Sequence, residues 1–167
     1  LIVLFTTEGI AAMADELPYD SYNYDYREYI HFTPSPYIPE RTIIGLDFTY
    51  NGEPLGAFKT PQDMCQAPNG EIYIADSGNN RIVVLDSAMK KVVKVITTFT
   101  NGDKEDKFNN PYGVCVSEKG WVYVADFKNK RVVVLDENDN LMQIIANPQS
   151  ESLADNFVFN PLKVTVD

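Results

Sequence analysis

Residues 58–86 read FKTPQDMCQAPNGEIYIADSGNNRIVVLD, and residues 108–136 read FNNPYGVCVSEKGWVYVADFKNKRVVVLD. Aligned without a gap at an offset of 50, 13 of the 29 positions are identical and four more exchange Ile or Met for Val. A third copy opens at the same offset with Pro161-Leu-Lys-Val-Thr-Val-Asp167, where Pro161 falls on Pro111 and Pro61; upstream, Asn51-Gly52 falls on Asn101-Gly102. The period runs through four units, two of them complete, and a period of this length marks a repeat architecture.

Within a unit the apolar residues recur at every second position and are β-branched or aromatic, so each segment is a strand. Met64-Cys65-Gln66 and Val114-Cys115-Val116 are short first strands. Residues 71–75 and 121–125 are second strands, entered by turns at Gly70 and Gly120, where glycine suits a positive φ. Residues 81–85 and 131–135 are third strands, and residues 91–96 and 141–145 fourth strands. The fold class that follows is all-β, a partial β-propeller of four-stranded antiparallel blades with about 50 residues each. A sheet apolar on both faces cannot hide both by itself, so blades must stack around an axis.

The predicted organisation is a signal-peptide remnant over 1–14, a Tyr/Pro-rich N-terminal strand and connector over 15–40, and an outer strand of a preceding blade over 41–57. Complete blades follow over 58–107 and 108–157, and a further blade starts over 158–167. The chain has no Met at position 1 and ends in mid-alternation, so it reads as a fragment of a longer protein.

With 14 Lys+Arg, 24 Asp+Glu and a formal net charge of −10, the chain is a poor match for nucleic acid, whose affinity rests on Lys and Arg releasing counterions. Anionic membrane surfaces are disfavoured for the same reason. Leu1-Ile-Val-Leu-Phe5 and Ile10-Ala-Ala-Met-Ala14 are apolar, and Ala12-Met13-Ala14 before Asp15-Glu16 has the small-x-small form of a cleavage site. A cleaved signal, a retained anchor and an ordinary buried segment all remain open, with a secreted or extracytoplasmic location expected and no membrane span in the mature chain. Cys65 and Cys115 occupy equivalent repeat positions, which predicts two buried thiols, each packed against its own neighbouring layer.

The segments Pro111-Tyr-Gly-Val, Gly120-Trp-Val-Tyr-Val-Ala-Asp126 and Asn129-Lys-Arg-Val132, with their counterparts at Pro61, Gly70 to Asp76 and Asn79-Asn-Arg-Ile82, carry a resemblance. They are similar to the NHL repeat, whose pattern is Pro-x-Gly-Val, then Gly-x-Ile-Tyr-Val-Ala-Asp, then Asn-x-Arg-Ile. Asp63 departs from the pattern's Gly, and Phe127-Lys128 from its small pair. The chain also resembles secreted bacterial NHL proteins. That resemblance implies that Tyr22, Tyr24 and Tyr26 form one strand completing the last blade of a ring, with Pro34 to Pro39 as connector. A rival reading has these tyrosines stacking on a glycan.

The repeated trio Asp76, Asn79, Arg81 and Asp126, Asn129, Arg131 sits at the hairpin between second and third strands. There a carboxylate can accept turn N–H groups and an arginine can pair with it. A residue needed in every blade serves the blade, so these are read as structural. The single histidine, His31, falls in the connector, so neither a three-histidine zinc site nor an HExxH helix can be assembled. Propeller lactonases and lyases hold Ca²⁺ or Zn²⁺ at inner blade ends; Asp63 and Asp167 are crude candidates here that do not form a ring. Rim loops bind partners on propellers because loops on a rigid scaffold vary freely. The polar connections 100–107 and 147–155 share one rim, which makes Asn101, Asp103, Lys104, Glu105 and Asp106 candidate binding residues. The expected function is a non-catalytic binding or scaffolding module for a protein, peptide or carbohydrate ligand, with no cofactor. The alternatives are a Ca- or Zn-dependent lactonase or lyase with its site in other blades and, more remotely, an RNA-binding NHL propeller.

Overall fold

Alternating β-branched residues in each unit form an antiparallel meander of four strands, and the two complete units form two such sheets. The computed structural model describes residues 22–24, 27–32, 42–147, 153 and 157–166. The signal segment 1–14, the Pro34 to Pro39 connector, Tyr26 and Asp167 lie outside the described residues, as does most of the 147–155 connection. In chain order the strands are β1 (Tyr22–Tyr24), β2 (Ile30–Phe32), β3 (Thr49–Tyr50), β4 (Glu53–Pro54), β5 (Asp63–Gln66), β6 (Ile72–Asp76), β7 (Arg81–Leu85), β8 (Val92–Ile96), β9 (Thr98–Asn101), β10 (Lys104–Lys107), β11 (Pro111–Val116), β12 (Val122–Asp126), β13 (Arg131–Leu135) and β14 (Leu141–Ala146). One sheet is ordered β5-β6-β7-β8 and the other β11-β12-β13-β14. This is the all-β partial propeller that the repeat predicts. No helix among the described residues is long and apolar enough to cross a membrane.

The chain divides into two compact units, Leu1–Ile43 and Ile44–Asp167. In the first, the tyrosine segment is a strand over Tyr22–Tyr24, and it pairs antiparallel with β2, Tyr22 opposite Phe32 and Tyr24 opposite Ile30. His31 therefore lies in a strand, opposite Asn23, rather than in a linker. Ile30 and Phe32 are strand formers, and Glu28, at φ 63°, lies in the left-handed region between the two strands.

In the second unit, blade shape repeats more faithfully than residue identity. The β6–β7 and β12–β13 hairpins turn through 3₁₀ segments at Ser77–Asn79 and Phe127–Asn129, closed by Asn80 and Lys130 at φ 55° and 56°. The β7–β8 and β13–β14 hairpins use Met89 and Asp139 at φ 54° and 63°. A left-handed residue with a side chain costs roughly 1 kcal/mol. It is tolerated because the turn closes on itself, Asn80 N–H donating to Ser77 O at 3.1 Å and Lys130 N–H to Phe127 O at 3.0 Å.

Directly opposed residues share a sheet face, which locates the core. On the first blade Tyr73 faces Val84 and Ala75 faces Ile82; on the second Val122 faces Leu135 and Val124 faces Val133. These faces, with Ile96, Val114 and Val116, belong to one buried cluster, so the core lies between the blades. Each fully buried Val, Ile or Leu contributes about 1.5–3 kcal/mol. β7 and β13 are buried on both faces beyond their first residue, as an inner strand of a stacked sheet must be.

Two expectations for the connections are corrected. Residues 42–48 do not form an outer strand: Gly45–Asp47 is a 3₁₀ turn, followed by the β3–β4 hairpin. Gly45 lies where an added Cβ would be only 2.1 Å from Gly56 O, so the chain folds back over residues 56–58. Asn51 and Gly52, at φ 53° and 84°, supply the type I′ turn that reverses it. Likewise 98–107 is no irregular loop but the β9–β10 hairpin, with Gly102 at φ 64° in the first central position that a type II′ turn reserves for glycine.

Candidate functional site

Asp76 and Asp126 end the second strands, are fully buried, and are bound in nearly superimposable ways. Asp76 accepts Lys59 N–H at 2.7 Å, Asn79 Nδ2 at 2.9 Å and Arg81 Nε at 2.7 Å. Asp126 accepts Asn109 N–H at 2.7 Å, Asn129 Nδ2 at 2.9 Å and Arg131 Nε at 2.8 Å. Asn79 also donates to Ala57 O and Asn129 to Lys107 O. Each trio thus ties the β6–β7 or β12–β13 hairpin to the segment entering the first strand. Burying a carboxylate is tolerable only with this density of donors. The arrangement gives both trios a structural task inside their own blade and leaves neither carboxylate a free oxygen to offer a ligand.

The rim hairpin joins this network. Asp106 is gripped by Arg131, Nη1 to Oδ2 at 2.7 Å and Nη2 to Oδ1 at 2.9 Å, and receives Asn101 Nδ2 at 3.1 Å. The guanidinium holds the Asp106 carboxyl well below the usual carboxylate range, with the Asn101 and Lys107 donors adding to it, against the opposing effect of burial. Of the five candidate rim residues, Asp106 and Asn101 therefore anchor the hairpin, while Asp103, Lys104 and Glu105 are exposed at its tip. Beside it, Asn79, Asn80, Thr98, Asp106, Lys107 and Asn129 line an open groove of about 530 Å³. The Asp106–Arg131 pair was not legible beforehand, because nothing in the repeat pattern distinguishes Asp106 from its exposed neighbours.

A second cluster sits on the first strands. Positions 63, 113 and 163 are equivalent in three successive units and hold Asp, Gly and Lys. Asp63 Oδ2 accepts Val114 N–H at 3.0 Å, and Oδ1 pairs with the Lys163 ammonium. Between them, buried Gly113 has no room for a Cβ, which would stand 2.9 Å from Leu162 O and 3.0 Å from Lys163 Cα. The bare glycine lets the third unit pack close enough for the ion pair to span the middle one. As a ligand for Ca²⁺ or Zn²⁺, Asp63 does not fit: one oxygen is taken by an N–H and the other by a cation.

The thiols contradict the expectation. Cys65 and Cys115 are both half-buried and free, and their Sγ atoms lie 4.0 Å apart instead of packing into separate layers. Equivalent atoms related by rotation are separated in proportion to their distance from the axis. Residues on the innermost strands therefore come together where outer ones diverge. Burial pushes the Cys65 thiol up, with the neighbouring Cys115 and Asp63 acting in the same direction against a backbone hydrogen bond at Val116.

These are blades of a β-propeller, stacked first strand beside first strand. The NHL repeat model matches residues 58–85 and 108–144, so these two units are NHL repeats. No curated protein matches the chain. Among solved structures, it is similar to hydrazine synthase from Kuenenia stuttgartiensis at 15% identity, covering 54% of this chain and 24% of that one, TM-score 0.43. It is similar to a gluconolactonase from Xanthomonas campestris at 18% identity, covering 56% and 30%, TM-score 0.40. It is also similar to virginiamycin B lyase from Staphylococcus aureus at 8% identity, covering 77% and 34%, TM-score 0.37. The chain spans about a quarter to a third of the length of these structures. At such identities and TM-scores, the ground for the family is the repeat and not these likenesses.

Proposed function

We propose that this chain is part of an exported NHL propeller acting as a non-catalytic binding or scaffolding module for a protein, peptide or glycan. One observation carries the reading: the polar groups divide into two sets. The repeated Asp, Asn and Arg side chains are engaged within the blades, whereas Asp103, Lys104 and Glu105 project from a hairpin that the Asp106–Arg131 pair ties to the blade. Exposed, mixed-charge side chains on a fixed support, next to a groove, suit recognition of a polar ligand. Export is supported by Ala12-Met13-Ala14 preceding Asp15-Glu16.

The test uses the full-length protein on glycan and peptide arrays beside a D103A/K104A/E105A variant whose circular dichroism matches the parent. Binding that is lost in the variant supports the module. Chelator-sensitive lactone opening or lyase turnover, untouched by the variant, would favour the enzymatic alternative instead. Amino-terminal sequencing of the mature protein should begin at Asp15.

A further inference from the structure

We infer that Cys65 and Cys115 are a redox-active pair that closes to a disulfide, stapling the first strands of two successive blades. The geometry carries this. The sulfurs are 4.0 Å apart, so a bond of about 2.0 Å requires them to close by roughly half that separation, within reach of side-chain rotation on strands already packed together. β5 and β11 are held side by side independently of the thiols, by the Asp63 carboxylate on Val114 N–H at 3.0 Å and by Ala67, just past β5, which shares the buried cluster with Val114 and Val116. The approach of the two cysteines is therefore set by the packing of the strands and not by the sulfurs themselves. Both side chains are half-buried, open enough for a small oxidant to reach one of them. The equivalent position in the third unit is Thr165, so the staple belongs to this blade junction and is not a property of every repeat.

The chemistry is two-electron thiol–disulfide exchange with a low-molecular-weight disulfide as oxidant. One cysteine thiolate attacks the oxidant's S–S bond, forming a mixed disulfide and expelling one thiolate. The second cysteine thiolate then attacks the first cysteine's sulfur, forming Cys65–Cys115 and expelling the other half of the oxidant. The two cysteines lose two electrons, the oxidant gains them, and the two thiol protons pass to the released thiolates or to solvent. Closure links residues 50 apart in sequence, which restricts the unfolded chain far more than it alters the folded one. The raised proton affinity of Cys65 slows whichever step uses its thiolate, without affecting the product.

The experiment incubates the reduced full-length protein with oxidised glutathione and counts alkylatable thiols. Peptides are then mapped without reduction. The expected result is loss of both thiols per chain, a linked peptide pair containing Cys65 and Cys115, and a thermal midpoint raised by on the order of 10 °C. Cys65→Ser and Cys115→Ser should each stop at a single glutathione adduct with no midpoint gain. Two separate glutathione adducts on folded wild-type protein, a chain-to-chain dimer, or two thiols that stay alkylatable would each overturn the assignment.

Discussion

Asp106 holds Arg131 through both carboxylate oxygens, at 2.7 and 2.9 Å, whereas one repeat earlier the matching residue is Gly56 and Arg81 Nη2 is buried with no hydrogen-bond partner. Arg81 turns its Nη1 to Leu55 O at 2.9 Å instead. The two blades thus carry the same arginine in a complete and an incomplete setting.

This difference fixes the order of two conservative substitutions. Lys cannot reproduce a guanidinium fork, so Arg131→Lys loses the two parallel bonds to Asp106 as well as the Nε bond to Asp126. Arg81→Lys gives up fewer. The expected costs are about 2–3 kcal/mol for Arg131→Lys and about 1–2 kcal/mol for Arg81→Lys in urea unfolding. Equal costs would mean that the fork contributes nothing.

Asp106 also sets a pH dependence. Its folded pKa is depressed by Arg131, so its contribution is fully present above the unfolded carboxylate range near pH 4 and is lost as pH falls further. Asp106→Asn should therefore be less stable than wild type at pH 7 by about 1–2 kcal/mol. The gap should narrow as pH drops below about 4. A gap that stays constant from pH 7 to pH 3 would contradict the assignment.

Asp76 and Asp126 allow a harsher test. Each is fully buried and binds a backbone N–H, an amide and a guanidinium, so replacement by Ala strands a buried arginine. Losses of about 3–5 kcal/mol are expected for either variant, while Asn, which keeps the shape, should cost less. Comparable losses in both blades, by thermal or urea unfolding, would mark the trio as scaffold.

How much of this could be read from residues alone follows from what each feature depends on. The strands and the blade order were legible because alternation of Val, Ile and Tyr is local, and the spacing of 50 repeats it twice. The Asp-Asn-Arg trio was legible as a hairpin element because its members lie within five residues of one another. The Cys65–Cys115 approach was not, because it depends on distance from the propeller axis, which no strand pattern encodes. Nor was the Asp63–Lys163 pair, which needs Gly113 bare between two other units. Within the outer strand expected over 41–57, Ile44, Leu46 and Phe48 alternate as strand residues do. Gly45 and the Asn51-Gly52 turn override that alternation and leave Leu46 exposed.

Gly113→Ala tests the third unit's position. The new Cβ would meet backbone at 2.9 and 3.0 Å, which no side-chain adjustment relieves, so the 161–166 segment must shift. The expected cost is about 1–3 kcal/mol. Cleavage after Lys163 by trypsin should also accelerate relative to wild type, since the Asp63 pairing at that lysine would loosen. Unchanged cleavage would show that the segment does not rest on Gly113.

Tyr73 makes the last prediction. Its phenol is pushed up to about 12, first by burial and then by the carboxylates of Glu71 and Asp139 and by Cys65. Lys94 lies over the ring at 6.0 Å, but its ammonium is paired with Asp139 across the blade junction at 2.6 Å, which blunts any pull towards phenolate. Because the folded value exceeds the unfolded one, near 10, the neutral phenol's contribution is complete below about pH 10 and is lost as pH rises from there towards 12. Phenolate absorbance should show a late-ionising component that is smaller by one tyrosine in Tyr73→Phe. Wild-type stability should fall over that alkaline interval more steeply than the variant's. A late-ionising component that keeps its full amplitude in Tyr73→Phe would remove Tyr73 from the blade-facing core.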